Sequence, residues 1–326
     1  MRELNPDSSA RGVSDTDSLP PHNSPTYYER PMLKRPHWDW EVITYLFMGG
    51  VMGGSGILIA IADGERDREL KRNARYLAFF LASTCPLILI KHLGRPERFH
   101  HMLRIFKLKS VMSMGVWGLI GFSLPASAAA LAQAARDGFL VPEPLRWLKH
   151  VAPAPLFDPL EAALGAFIAG YTGVLISATA IPFWAIGKRY IPATSVCSGM
   201  AGACAANAAL LALGPHGTER TLRKLERLEM VAGIAELGLL FGFERHAGDL
   251  GKPMFAGARG RKLRTFTMYG GIGLSTLLNV IPYHARWKTL LASALTLAGG
   301  YVLRESLIEA GKDSSEDPRA AARQPE

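Results

Sequence analysis

Ionisable side chains that could carry protons through an apolar environment are few in this sequence, and their spacing is informative. Glu41 and Tyr45 are separated by four residues, which places them on one face of a helix. Glu229 and Glu236 are separated by seven, again on one face, with Gly233 between them. A phenol and carboxylates whose pKa values respond to their surroundings suit a redox headgroup that takes up electrons and protons together, as a quinone does. Glu41 and Glu229 lie at the edges of apolar stretches, where a solvated interfacial carboxylate needs no function. Glu236 lies deeper.

A second group of candidates is the run Lys91-His92-Leu93-Gly94-Arg95-Pro96-Glu97-Arg98-Phe99-His100-His101. Gly94 and Pro96 predict a turn, and Arg95, Arg98 and Arg104 place positive charge beside it. On charge alone this is an ordinary solvated basic loop. The nine histidines, at positions 22, 37, 92, 100, 101, 150, 216, 246 and 284, all fall outside the apolar stretches. A bis-histidine haem would need axial ligands from helix interiors, so no haem is expected. Cys85, Cys197 and Cys204 form no Cys-x-x-Cys pair and read as small buried residues rather than zinc or iron–sulfur ligands.

The elements that must position these residues are eight apolar stretches, 40–62, 76–90, 111–134, 163–186, 193–213, 228–243, 266–283 and 289–303. All 37 lysines and arginines lie outside them, and Glu41, Glu229 and Glu236 are the only acids inside. The averages of 48% apolar and 20% charged residues and a net charge of +9 therefore conceal two segregated populations. A membrane-crossing helix needs about 20 mostly apolar residues; four stretches reach that outright and the others by taking in flanking residues. The expectation is an all-α integral membrane protein with eight transmembrane helices. Residues 1–37 read as a disordered polar tail, 38–308 as the transmembrane domain and 309–326 as a polar C-terminal tail. Such a chain is neither a soluble enzyme nor a nucleic-acid binder, and its natural surroundings are lipid.

Within the first stretch, Gly49, Gly50, Gly53, Gly54 and Gly56 make two overlapping Gly-x-x-x-Gly pairs suited to close helix contact. Pro86, Pro125, Pro182 and Pro282 are expected to kink or end helices. Ser110 and Ser113 suit capping of the third.

His37-Trp38-Asp39-Trp40, leading into Tyr45-Leu46-Phe47-Met48-Gly49-Gly50, resembles the opening of the NrfD/PsrC family, the membrane subunits of polysulfide-reductase-like complexes. Leu93-Gly94-Arg95-Pro96-x-Arg98-Phe99, followed by Ser110-Val111-Met112-Ser113-Met114-Gly115-Val116-Trp117, resembles that family's central signature. Gly299-Gly300-Tyr301-Val302-Leu303-Arg304 and Glu309-Ala310-Gly311 resemble its ending. Two departures stand out: His92 occupies a position usually held by Asp, and Val111 one usually held by Pro. The Asn and His common among the family's headgroup contacts have no counterpart in the first stretch.

The resemblance implies eight helices arranged as two four-helix bundles, without haem or an iron–sulfur cluster of their own. It implies a subunit of a multisubunit oxidoreductase in the cell's inner membrane. Electrons would pass between membrane quinone, menaquinone or ubiquinone, and an iron–sulfur ferredoxin-like subunit coupled to a molybdopterin or multihaem catalytic subunit. Glu41 and Tyr45 occupy the region where such proteins hold the quinone headgroup, with His92, Arg95 and Arg98 as further candidates. Glu41, Glu229 and Glu236 are the candidates for proton transfer. The alternatives are a proton-translocating or transporter-like bundle, suggested by Glu229 and Glu236, and a purely structural anchor.

Overall fold

The computed structural model describes residues 33–139, 143, 147, 157–214, 218–281, 285–318 and 320, which are helical throughout apart from short connections. The expected disorder of the N-terminal tail falls largely outside them, as do His22, His150, His216, Pro282 and His284.

Four helices follow from the first apolar stretches: α1 (Trp40–Gly64), α2 (Arg68–His92), α3 (Val111–Arg136) and α4 (Phe157–Ser177). A short α5 (Pro182–Ile186) precedes α6 (Ile191–Leu213) and α7 (Glu219–Ala247). Next come α8 (Lys252–Phe255) and α9 (Gly257–Leu263), an eleven-residue π-helical stretch Arg264–Leu274, α10 (Ser275–Val280) and α11 (Arg286–Glu316). Each of the eight apolar stretches thus falls mainly on helix. Among the described residues, five helices are long and apolar enough to cross a membrane: α1, α2, α3, α4 and α6. The other three stretches differ for a physical reason. The middle of α7 is apolar but both its ends are heavily charged, α11 continues into polar sequence, and residues 257–280 change helix type twice.

Sequence explains the helix ends. Asp67 caps α2 by accepting from the Leu70 amide at 3.2 Å. Ser110 caps α3 by accepting from Ser113 N–H at 3.4 Å, while the Ser113 hydroxyl donates to the Ile105 carbonyl at 3.2 Å. Pro86 and Pro125 lie inside α2 and α3, and Pro182 starts α5 where α4 has ended. The helix at the C-terminus runs further than the polarity of residues 309–316 suggests. Ala310, Gly311 and Lys312 are buried there, and the Trp184 indole packs on Gly311 while donating to the Leu307 carbonyl at 2.8 Å.

Packing centres on α1, which touches α2, α4, α6 and α11. Its glycine pairs serve two different partners. A Cβ at Gly53 would sit 2.3 Å from the Gly165 carbonyl of α4, and one at Gly54 2.7 Å from both the Gly199 carbonyl and the Ala203 methyl of α6. Helices α1 to α4 contact one another in sequence and close through α1–α4; α6, α7, α10 with its π-helical extension, and α11 form a second such circuit.

Ion pairs mark the two ends of the molecule. Where α1 finishes, Lys224 of α7 pairs with Glu65, and the Thr221 hydroxyl donates to Asp67 at 2.7 Å. Where α1 begins, Arg35 meets Glu316 at 2.9 Å, Lys312 faces Asp39 at 3.7 Å, and Trp38 stacks on Trp184 with ring centroids 4.8 Å apart.

Candidate functional site

The sequence candidates divide into two places. At the end where α1 begins, Glu41 is half-buried and Tyr45 is buried one turn deeper. The Lys91 ammonium lies 4.7 Å from the ring centroid of Trp40, a cation–π contact that seats the end of α2, with His92, beside the start of α1. Arg95 caps and Arg98 belongs to a 3-10 segment, Pro96–Leu103, and both are exposed. Phe99, Ile105, Phe106 and Leu108 are exposed on the same connection, so it presents apolar as well as cationic surface.

Tyr45 is not alone. Tyr171 of α4 and Cys85 of α2 lie within its electrostatic reach, placing two phenols in the interior of the first helix circuit. Tyr171 fits because position 115 is glycine: a Cβ there would fall 2.0 Å from the Tyr171 hydroxyl oxygen. Sequence reasoning passed over Tyr171 because a tyrosine in an apolar stretch reads as core. The available signal was Gly115, which stands in the recognisable central motif and has no turn to explain it.

Glu229 and Glu236 are both buried, and they face a narrow cavity shared with Ser198, Thr267, Gly271 and Thr296. The Thr296 hydroxyl lies 2.5 Å from Glu229 Oε1 and 3.0 Å from the Gly271 carbonyl, so its single proton can serve either acceptor. Glu236 lies within electrostatic reach of Arg304, which is itself buried and donates through Nη2 to the Ser195 carbonyl at 3.1 Å. Arg304 Nε and Nη1 have no partner among the described residues. The π-helical stretch forms one wall, and the Thr267 hydroxyl donates to the Gly299 carbonyl at 2.8 Å. Wide helical turns of this kind recur where a helix is reshaped around a functional group. Glu229 is therefore not the wet edge residue that its sequence position allowed.

The two places are separate. Glu41, Tyr45, His92 and the arginine segment gather at one end of the first circuit, whereas Glu229 and Glu236 lie within the second. Among the described residues no group of three or more His, Cys, Asp or Glu side chains could hold a metal ion.

An all-helical chain with membrane-length apolar helices and carboxylates, a guanidinium and phenols in its interior is a membrane protein built around buried polar groups. Residues 30–313 match the family model described as "Polysulphide reductase, NrfD", and the chain belongs to that family. It is 26% identical over 190 residues to the "Protein NrfD homolog" of Haemophilus influenzae and 27% identical over 186 residues to "Protein NrfD" of Escherichia coli. In each comparison 52% of this chain aligns with 57% of the relative, so the chain spans little more than half the length of the curated relatives it matches.

Proposed function

We propose that this protein is the quinone-interacting membrane subunit of a multisubunit oxidoreductase in the cytoplasmic membrane. It would exchange electrons between the quinone pool and an iron–sulfur partner that connects to a molybdopterin or multihaem catalytic subunit. The observation that carries this reading is the placement of Glu41, buried Tyr45 and His92 at the same end of the molecule as the cationic Arg95–Arg98 segment, with Lys91 seated on Trp40. The phenol supplies a hydrogen-bond donor to a quinone oxygen, and Glu41, half open to solvent, accepts the proton that a quinol loses. The exposed arginines and aromatic residues beside it suit a docked partner. Family membership over residues 30–313 supports the same assignment.

This reading includes eight crossings in two groups of four. Exposed apolar side chains on the less hydropathic helices support it: Val231, Ile234 and Phe241 on α7, Phe266 and Tyr269 on the π-helical stretch, and Leu291 on α11. Lipid is the environment in which such side chains need no cover.

The test is turnover with a quinol analogue against turnover with a water-soluble donor to the partner enzyme. Tyr45→Phe or Glu41→Gln is expected to lower quinol-dependent turnover about tenfold, the value of one lost hydrogen bond of roughly 1.4 kcal/mol, and to leave the soluble-donor rate unchanged. Unaltered quinol turnover in both variants rejects the site.

A second reading rests on Glu229, Glu236 and Arg304, buried around one cavity. Buried ionisable groups along the middle of a membrane helix suit proton movement. They are compatible with a subunit that couples quinone chemistry to proton transfer.

A further inference from the structure

At the end of the first helix circuit where α1 finishes, a row of charged side chains leads inward to a carboxyl group with no hydrogen-bond partner among the described residues. Asp63, on the last turn of α1, is exposed and bonds Lys71 of α2. Lys71 Nζ lies 2.5 Å from Asp158 Oδ2 of α4, and the other Asp158 oxygen accepts from Arg75 Nη2 at 2.6 Å. Arg75 and Asp158 are each only 3% exposed. Arg75 Nη1 also donates to Gln133 Oε1 of α3 at 3.1 Å, and Gln133 in turn donates to Asp137. One turn further along α4 is Glu161, 1% exposed, with neither carboxyl oxygen hydrogen-bonded among the described residues, within electrostatic reach of Arg75, Asp158 and Lys71. Arg75 Nε is likewise without a partner.

Charge balance singles out Glu161. Lys71 and Arg75 are already matched by Asp63 and Asp158. On α3, Asp137 is matched by Arg72 at 2.6 Å and also accepts from the Tyr76 hydroxyl. From α6, which also packs on α4, no charged side chain arrives, and α5 with residues 187–189 follows the far end of α4 at Ser177. Among these described groups an ionised Glu161 is the charge left over, in a place closed to bulk water, and a buried carboxyl with no donor has strong reason to carry its own proton.

We propose that Glu161 is a proton-exchange station, loaded and unloaded through the Asp158–Lys71–Asp63 row, on the face opposite the start of α1. The step is a bare proton transfer with no electron moved: Glu161 gives its proton to the Asp158 carboxylate, Lys71 passes one to Asp63 and regains one from Asp158, and Asp63 releases its proton to water; the reverse order reloads Glu161, while Arg75 keeps its protons and stays a fixed charge. Eighteen residues of α1 separate Tyr45 from Asp63, about 27 Å at 1.5 Å per residue. The station therefore opens away from the proposed quinone site. It extends that reading without depending on it, since its titration needs no quinone.

The experiment is infrared difference spectroscopy of the full chain in lipid nanodiscs, without quinone or partner. The wild type is expected to show the carbonyl stretch of a protonated carboxylic acid that changes with bulk pH, that is lost in Glu161→Gln, and that returns at a shifted frequency in Glu161→Asp. Deuterium exchange of that band is expected to slow at least tenfold in Lys71→Met, which leaves the Arg75–Asp158 pair intact. A spectrum in which no pH-dependent carboxylic band responds to substitution at Glu161 overturns the station. Exchange unchanged in Lys71→Met overturns the route. Tyr45→Phe is expected to leave the band alone, so a failed quinone site and a failed proton station give different results.

Discussion

At the scale of single residues, what sets this molecule apart is how many charges it buries and how unequally they are partnered. Arg75 and Asp158 form a buried pair inside the helix circuit, whereas Arg35 and Glu316 form an exposed one at its rim. Removing one member of a buried pair leaves an uncompensated charge, which costs about 3–5 kcal/mol, while an exposed pair is worth about 0–1 kcal/mol. Asp158→Ala is therefore expected to lower the unfolding midpoint in detergent clearly, and Glu316→Ala hardly at all; equal effects would contradict the burial argument. Legibility differed residue by residue. Glu236 could be singled out in the sequence because an acid in the middle of an apolar run has few innocent explanations. Glu161 could not, because it stands just ahead of the run that begins at Ala163 and reads as a loop acid. Only the fold turns it inward.

At the scale of helices, α1 is organised by its glycines. The pairs Gly49/Gly53 and Gly50/Gly54 lie on adjacent faces, one against α4 and the other against α6, so a single helix joins the two circuits. Gly53→Val would force a branched side chain into the Gly165 carbonyl and the Ala169 backbone. The expected loss is at least about 1–3 kcal/mol, the usual cost of overpacking, read as a fall in thermal midpoint. Gly64→Ala, with nothing within 4 Å of its Cβ, is the matched control and is expected to be neutral. The glycine spacing announced that close packing would occur, but not with which helices. Likewise, residues 266–283 were recognisable as an apolar stretch, whereas the π-helical winding of Arg264–Leu274, where Gly271 meets Gly299, was not encoded in any local pattern.

At the scale of the whole molecule, the ion pairs sort the connections into two ends. The α1–α2 turn and the start of α7 share one end; the chain leading into α1 and the end of α11 belong to the other, where the Lys91–Trp40 contact also places the Pro96–Leu103 segment that follows α2. Eight crossings require these ends to lie on opposite faces of the membrane. In a cysteine-free background, single cysteines at Arg66 and Arg220 are expected to react with an impermeant maleimide from one side of sealed vesicles. Cysteines at Arg98 and Lys252 are expected to react from the other. Any pair labelled out of this pattern removes the eight-crossing arrangement.

The sequence by itself determined that the chain is helical and built for a membrane, because segregation of every lysine and arginine from eight apolar stretches is a local property that any lipid-exposed helix must satisfy. It also determined the family, through motifs that hold together over short spans, and the capping of α3 by Ser110. The tertiary structure alone decided which helices meet, that Tyr171 joins Tyr45, that Arg304 lies near Glu236, and that Glu161 ends a row of charges reaching inward from the surface. Those relations depend on side chains tens to hundreds of residues apart. Their energies are set by desolvation and close contact, which exist only once the helices have packed.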